Sequence, residues 1–192
     1  LPLTIDATLR QATRRPTFEA SLFTPPALTK DWQFLTPGAT TQVAFPFVAE
    51  GSEIVVYAAI NGHPLRFLLD SGAGGAFVTA QAAEEAGLTT QGNLPALGYG
   101  GTSAMGLATQ ATLDFGGAVR LSRQLLHVIK DPNVAKRLSE NGHVDGVIGY
   151  ELLSRFVLRL DYADKLITLT DPAAPPAAPD ARAFTLPLKL EG

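Results

Sequence analysis

The strongest constraint on the fold is a β-hairpin signal in the second quarter of the chain. Residues 53–60 are mostly β-branched or apolar, and residues 65–69 form a second apolar run. Asn61-Gly62 lies between them and favours the tight two-residue turn of a hairpin. The sequence therefore predicts two antiparallel strands, the second of which leads directly into the polar, glycine-rich segment DSGAGG at 70–75.

Asp70, the acidic residue of that segment, has the placement expected of a catalytic acid. Leu68 and Leu69 are apolar enough to anchor a buried strand, so the Asp70 carboxylate would project from a rigid support into a loop. Ser71 supplies a hydroxyl, and Gly72 allows a sharp turn and a close approach to a neighbouring chain. Asp-Ser-Gly is also a common turn, so the tripeptide alone does not establish catalysis.

The remaining pattern predicts an all-β (β-rich) chain with a few short helices. Further strands are expected at 76–79, 107–115, 119–129, 157–160 and 166–169, and helices at 80–86, 131–141 and 150–156. A glycine-rich hairpin is expected around 98–106. At 192 residues the chain is long enough for one well-buried domain plus an appendage, so we expect a single core.

Residues 1–50 show no sustained hydrophobic period and contain several prolines, so we expect an irregular N-terminal arm. Its aromatic side chains indicate that the arm is partly docked. We expect the folded domain at 51–171, a Pro/Ala-rich linker at 172–183, and the first strand of a following domain at 184–192.

Composition removes several classes of function. The 192 residues carry a formal charge of −3 without a long basic run, so nucleic-acid binding has no electrostatic support. Cysteine is absent, and the three histidines share no ligand spacing, so we expect no metal and no other cofactor. No stretch approaches the ~20 apolar residues of a membrane span.

The chain begins at Leu1 without a methionine, which suggests a mature or trimmed product. We expect a periplasmic or secreted protein, with a cytoplasmic location as the alternative.

The hydrophobic-hydrophobic-Asp-Ser-Gly-Ala sequence at 68–73 resembles the active-site loop of retropepsin-like, pepsin-related aspartic proteases. Val147-Ile148-Gly149 resembles the hydrophobic-hydrophobic-Gly element that lies behind that loop in the family. The match extends over about 54–169. More narrowly, the chain is similar to the bacterial gag-polyprotein-like aspartyl protease group, in which Asp-Gly-hydrophobic-hydrophobic-Gly recurs, here at 145–149.

The resemblance implies a small, closed, antiparallel β-barrel of the retropepsin type. It also implies that Asp70 is one of two carboxylates that share a proton and activate a water against a peptide carbonyl. Ser71 would hydrogen-bond across the two catalytic loops, and Gly72 would let them approach. The resemblance further implies a substrate-binding set made of the loop residue Ala73 and the flap residues Tyr99, Gly100 and Gly101.

Asp-Ser-Gly or Asp-Thr-Gly occurs once in the sequence, whereas this mechanism needs two such motifs. The second carboxylate would come from a homodimer partner, or from a second protease-like lobe that begins with the strand expected at 184–192. Asp145 is a weaker candidate for the second acid, since Asp-Gly before an apolar run is usually a structural turn. An isolated monomer is therefore expected to be inactive on its peptide or protein substrate, and the alternative is a non-catalytic module that dimerises or captures a peptide.

Overall fold

The computed structural model describes residues 30–98, 101–142 and 144–175, and the statements below concern those residues. The chain divides into two units, Leu1–Lys30 and Asp31–Gly192. All strands and helices described here belong to the second unit.

The described residues form twelve strands and three helices. The strands are β1 (Trp32–Phe34), β2 (Gln42–Pro46), β3 (Val48–Glu50), β4 (Glu53–Ile60), β5 (His63–Leu69), β6 (Ala76–Thr79), β7 (Gln91–Gly98), β8 (Gly101–Phe115), β9 (Val119–Ile129), β10 (Gly146–Ile148), β11 (Val157–Asp161) and β12 (Leu166–Thr170). The helices are α1 (Ala80–Glu85), α2 (Pro132–Gly142) and α3 (Tyr150–Leu153). The prediction of a β-rich fold with few helices is confirmed.

Most strands belong to one large sheet, in the order β1-β9-β6-β10-β5-β4-β8-β7. Strand β3 pairs with β4, and β8 pairs with β9 as well as with β4. The predicted hairpin of β4 and β5 is confirmed, and its turn residues Asn61 and Gly62 have φ angles of 51° and 87°. These left-handed conformations are the ones that an Asn-Gly turn favours.

Strand β10 is inserted between β5 and β6. Ile148 is the register partner of Leu69 in the parallel pair and of Ala76 in the antiparallel pair. All three residues of β10 are buried. A Cβ atom on Gly146 would lie 2.1 Å from the carbonyl oxygen of Phe77, so glycine is needed for this close approach. The insertion brings the end of β10 next to the first residue after β5, which is Asp70.

Asp145, directly before β10, is fastened to β5 and β6 by three hydrogen bonds. Its Oδ2 accepts a hydrogen bond from the backbone N–H of Arg66 at 2.8 Å, and its own N–H donates to the Arg66 carbonyl oxygen at 2.7 Å. Its carbonyl oxygen accepts from the N–H of Thr79 at 2.8 Å. The interpretation of Asp145 as a structural residue agrees with these contacts.

A second, three-stranded sheet has the order β11-β12-β2. The side chains of Val43, Phe45, Ile167 and Leu169 from this sheet are buried in the common core. The rings of Phe45 and Phe115 make an edge contact with centroids 5.0 Å apart, which packs the small sheet against β8 of the large one.

The prediction of an irregular N-terminal arm is wrong for β1, β2 and β3, which pair in the two sheets. Buried and exposed residues alternate in β2, but over only five residues that end at Pro46. So short a run interrupted by proline gives too little period to predict a strand. The domain boundary at residue 50 stays a prediction, and residues 1–29 and 176–192 lie outside the described residues, as do most of the expected linker and the expected strand at 184–192.

The other predicted elements are present with shifted ends. Helix α3 stops at Leu153, three residues before the predicted end, and β8 begins at Gly101, six residues before the predicted start. Helix α2 follows Asp131, whose Oδ1 accepts from the N–H of Asn133 at 2.8 Å, as expected for a helix-capping residue. Within the described part of the chain, no helix has both the length and the apolar character needed to cross a membrane.

Candidate active site

Asp70 is the first residue after β5, and its backbone is fixed to β10. Its N–H donates to the carbonyl oxygen of Ile148 at 3.0 Å, and its carbonyl oxygen accepts from the N–H of Ala73 at 3.1 Å. The side-chain Oδ1 accepts from the N–H of Gly72 at 2.8 Å. The residue remains exposed to solvent. The result is a carboxylate held in one orientation at the surface, at the end of a buried strand.

The loop at 70–75 is also bonded to the start of helix α3. The N–H of Tyr150 donates to the carbonyl oxygen of Ala73 at 2.7 Å, and the N–H of Glu151 donates to that of Gly74 at 3.2 Å. The first N–H groups of a helix have no partner within the helix. The loop carbonyls satisfy two of them, so loop and helix are held to each other.

Gly149 makes this contact sterically possible. It is buried, and a Cβ atom there would lie 2.2 Å from the carbonyl oxygen of Ala73 and 2.4 Å from that of Gly75. Both clashing atoms belong to backbone, which cannot rotate away as a side chain can. The structure therefore brings the Val147-Ile148-Gly149 element directly behind the Asp70 loop.

The other predicted residues of the loop differ in exposure. Ser71 and Gly72 are exposed, and Ala73 is half-buried with its backbone bonded on both sides. A Cβ atom on Gly72 would lie 3.2 Å from Oδ1 of Asp70, so a side chain there would crowd the carboxylate. The predicted bond from Ser71 to a second catalytic loop stays a prediction.

The flap residues are only partly within the described structure. Tyr99 and Gly100 lie outside the described residues. Gly101 is the first residue of β8 and is the register partner of Gly98, the last residue of β7. The expected hairpin is therefore present up to its turn, and the substrate-binding roles stay predictions.

Three contacts of the loop could not be found from the sequence. The N–H donors at Tyr150 and Glu151 are backbone groups, which carry no residue signature. His127 lies beside the end of the loop, with Nδ1 3.3 Å from the carbonyl oxygen of Ala76. The two residues are 51 positions apart, and no local pattern indicates that they meet. The spacing of the histidines in the sequence indicates no metal site and gives no other sign of a role for His127.

A metal centre has no donor set in the part of the chain that the structure describes. Residues 30–98, 101–142 and 144–175 contain no group of three or more His, Asp or Glu side chains placed to hold a metal ion.

Comparison with known proteins gives one family and a set of similar folds. The family model described as aspartyl protease matches residues 56–152, and no curated protein matches the chain. A retropepsin-like aspartic protease from Rickettsia conorii is similar in structure, with a TM-score of 0.46 and 16% identity over 74% of this chain and 96% of that chain. The EIAV protease complexed with the inhibitor HBY-793 is similar with a TM-score of 0.39 and 18% identity, over 56% of this chain and 92% of that chain.

The family match covers half of the 192-residue chain and includes both the Asp70 loop and the Val147-Ile148-Gly149 element. The resemblance noted from the sequence is thus confirmed: the chain belongs to the aspartyl protease family.

Proposed function

We propose that this chain is an aspartic endopeptidase that hydrolyses peptide bonds with a water activated between two Asp70-type carboxylates. The observation that carries the proposal is the Asp70 loop itself. Its carboxylate is exposed, while its backbone is bonded to Ile148 and its Oδ1 to the Gly72 N–H. A catalytic acid needs this combination of fixed orientation and access to substrate.

The chemistry requires one ionised and one protonated carboxyl group. The ionised group takes a proton from water while the water oxygen bonds to the peptide carbonyl carbon, and the protonated group donates to the carbonyl oxygen. The proton taken from water then passes to the amide nitrogen, one hydroxyl of the tetrahedral intermediate returns a proton to the carboxylate that donated one, and the C–N bond breaks to release an amine and a carboxylic acid. Two carboxyl groups that share one proton can perform both roles.

The second carboxylate would come from a two-fold-related copy of the chain, because the sequence contains one Asp-Ser-Gly motif. The exposure of the 70–72 segment supports this proposal, since a loop that must meet its equivalent has to lie at the surface. A second protease-like lobe that follows this chain in a longer polypeptide would supply the same group.

We further propose that the large sheet closes as a retropepsin-type barrel. Strand pairing can be followed through β9, β6, β10, β5, β4 and β8, and β8 then pairs with β9 again. This ring of pairings supports a closed barrel, in which strand ends are held more rigidly than at an open edge.

An extended peptide would bind beneath the hairpin of β7 and β8. Its backbone would pair with the flap residues Tyr99, Gly100 and Gly101 and with the loop around Ala73, and side-chain pockets would set specificity. The support for this placement is the pairing of β7 with β8, in which Gly98 and Gly101 are register partners.

The test is the variant Asp70→Asn, assayed on a peptide library at acidic pH. The amide oxygen of asparagine can still accept the bond from the Gly72 N–H, so the fold should persist, while the missing carboxylate should lower turnover at least about 1,000-fold. Asp164→Asn is the matched control, because Asp164 is exposed in the turn between β11 and β12 and should leave turnover unchanged. Equal cleavage by Asp70→Asn and wild type would exclude this mechanism.

The single motif also favours a second candidate, a non-catalytic module that dimerises or captures a peptide. Self-association without cleavage of any library peptide, and without binding of a statine inhibitor that mimics the transition state, would support the module over the enzyme.

A further inference from the structure

His127, on β9, is the side chain that reaches the end of the catalytic loop from the neighbouring strand. Phe77 and His127 are register partners in the parallel pair of β6 and β9. Their rings are stacked, with centroids 5.0 Å apart and planes inclined by 28°. A Cβ atom on Gly75 would lie 3.0 Å from both Cε1 and Nδ1 of the imidazole. The ring is therefore fixed by Phe77 on one face and abuts the backbone of the loop at Gly75.

The imidazole is placed to donate a hydrogen bond to the loop exit. Nδ1 lies 3.3 Å from the carbonyl oxygen of Ala76, the first residue of β6. A carbonyl oxygen can only accept, so Nδ1 must carry the proton if this contact is a hydrogen bond. This fixes the tautomer of the neutral ring and is equally satisfied by the charged ring.

This bond fastens the part of the loop that α3 does not hold. The entry of the loop is bonded at Asp70 to Ile148, and its middle is bonded at Ala73 and Gly74 to the start of α3. Gly75 and Ala76 form its exit, and there the imidazole of His127 adds a side-chain donor from β9. Every section of the loop thus has a partner from a different element: β10, α3 and β9.

We propose that His127 is a positioning residue, which holds the exit of the Asp70 loop through an Nδ1–H bond to the Ala76 carbonyl oxygen and thereby sets the orientation of the carboxylate. Its effect on turnover rests on the proposed protease function, whereas its effect on the loop does not. The carboxylate of Glu151 on α3 also lies beside the loop exit, and its Oε2 would be 3.5 Å from a Cβ atom on Gly75.

Two substitutions separate the contribution of the aromatic ring from that of the Nδ1–H donor. His127→Phe keeps an aromatic ring for stacking on Phe77 but removes the N–H. His127→Asn loses the ring but places an amide N–H near the position of Nδ1. His63→Phe is the matched control, because His63 begins β5 at the opposite end of that strand from Asp70 and is half-buried like His127.

For turnover, His127→Phe should lower kcat about three- to ten-fold, the effect of one neutral hydrogen bond, while KM stays within about two-fold. His127→Asn should restore most of the loss, and His63→Phe should match wild type. A kcat of His127→Phe equal to that of wild type, or a loss that His127→Asn does not repair at all, would overturn the positioning role.

Two measurements in the Asp70→Asn background test the contact between His127 and the loop without an activity assay. The ¹⁵N NMR signal of His127 Nδ1 should be that of a protonated ring nitrogen. The backbone amides of position 70 and of Ala73 should exchange faster with His127→Phe than with His127→Asn. A bare Nδ1, or equal exchange in both variants, would overturn the bond.

These results distinguish the two proposals. If only the protease proposal is wrong, the wild-type protein will be inactive but Nδ1 of His127 will still be protonated. The loop amides will then still exchange more slowly with histidine or asparagine at position 127 than with phenylalanine. Should His127→Phe fail to fold, the tautomer in the wild-type protein and the kcat of His127→Asn still decide the question.

Discussion

A methyl group added at position 149 would test how tightly the Asp70 loop is held. The new Cβ of Gly149→Ala would lie within 2.4 Å of two loop carbonyl oxygens, so loop and helix α3 must move apart. We expect a loss of about 1–3 kcal/mol in the free energy of unfolding, as for other overpacked sites. Gly74→Ala is the control in the same loop, because nothing lies within 4 Å of its Cβ position.

The measurement is the urea unfolding curve of each variant, together with its turnover. Gly149→Ala should lose both stability and activity, whereas Gly74→Ala should change stability by less than about 0.5 kcal/mol. Equal midpoints for the two alanine variants would mean that the loop can yield, and the rigid support proposed for Asp70 would be wrong.

The sequence could predict those residues whose identity is explained by their immediate neighbours in the chain. Asn61 and Gly62 are needed for a turn, and Asp70 follows an apolar run and precedes a glycine-rich segment. Gly149 was found through its motif, and its reason, the clash with Ala73 and Gly75, is visible only in three dimensions. His127 had no signal, because its partner at Ala76 is set by the pairing of β6 with β9.

The same limit applies to whole elements, and strand β1 shows it best. Its three residues pair with β9 and alternate between half-buried and exposed, but three residues are too short a run to predict a strand from the sequence. Contacts with distant residues hold it: the Trp32 and Phe156 rings are 4.7 Å apart, and Asp31 Oδ2 accepts from Arg155 Nη1 at 2.5 Å. Hairpins such as β4 and β5 depend on neighbours in sequence and were predicted.

If β1 is part of the fold, then removing its aromatic anchor should destabilise the domain. Trp32→Ala should lower the free energy of unfolding by about 2 kcal/mol, less than for a fully buried tryptophan because the side chain is half-buried. Gln33→Ala, on the exposed face of the same strand, should have almost no effect. The measurement is thermal or urea unfolding of both variants. If the unfolding curve of Trp32→Ala equals that of the wild type, β1 does not contribute to the stability of the domain.

At the scale of the molecule, the fold places the Asp70 carboxylate at the surface and supports its loop from three elements. Strand β10, helix α3 and strand β9 each contact a different section of the same loop. Nothing in the local pattern of the sequence could specify this arrangement, because it depends on the insertion of β10 between β5 and β6. The sequence also shows what the proposed two-carboxylate reaction still lacks, since it contains a single Asp-Ser-Gly motif.

Mixing wild type with Asp70→Asn tests where the second carboxylate comes from. If subunits exchange and only dimers of two wild-type chains are active, an equal amount of the variant should reduce wild-type activity to about half, and a nine-fold excess to about one tenth, because partners pair at random. The assay uses a constant wild-type concentration well above the dimer dissociation constant, with an unrelated protein added as the control. Activity that is unchanged by any excess of Asp70→Asn would show that both carboxylates belong to one polypeptide, and the homodimer proposal would be wrong.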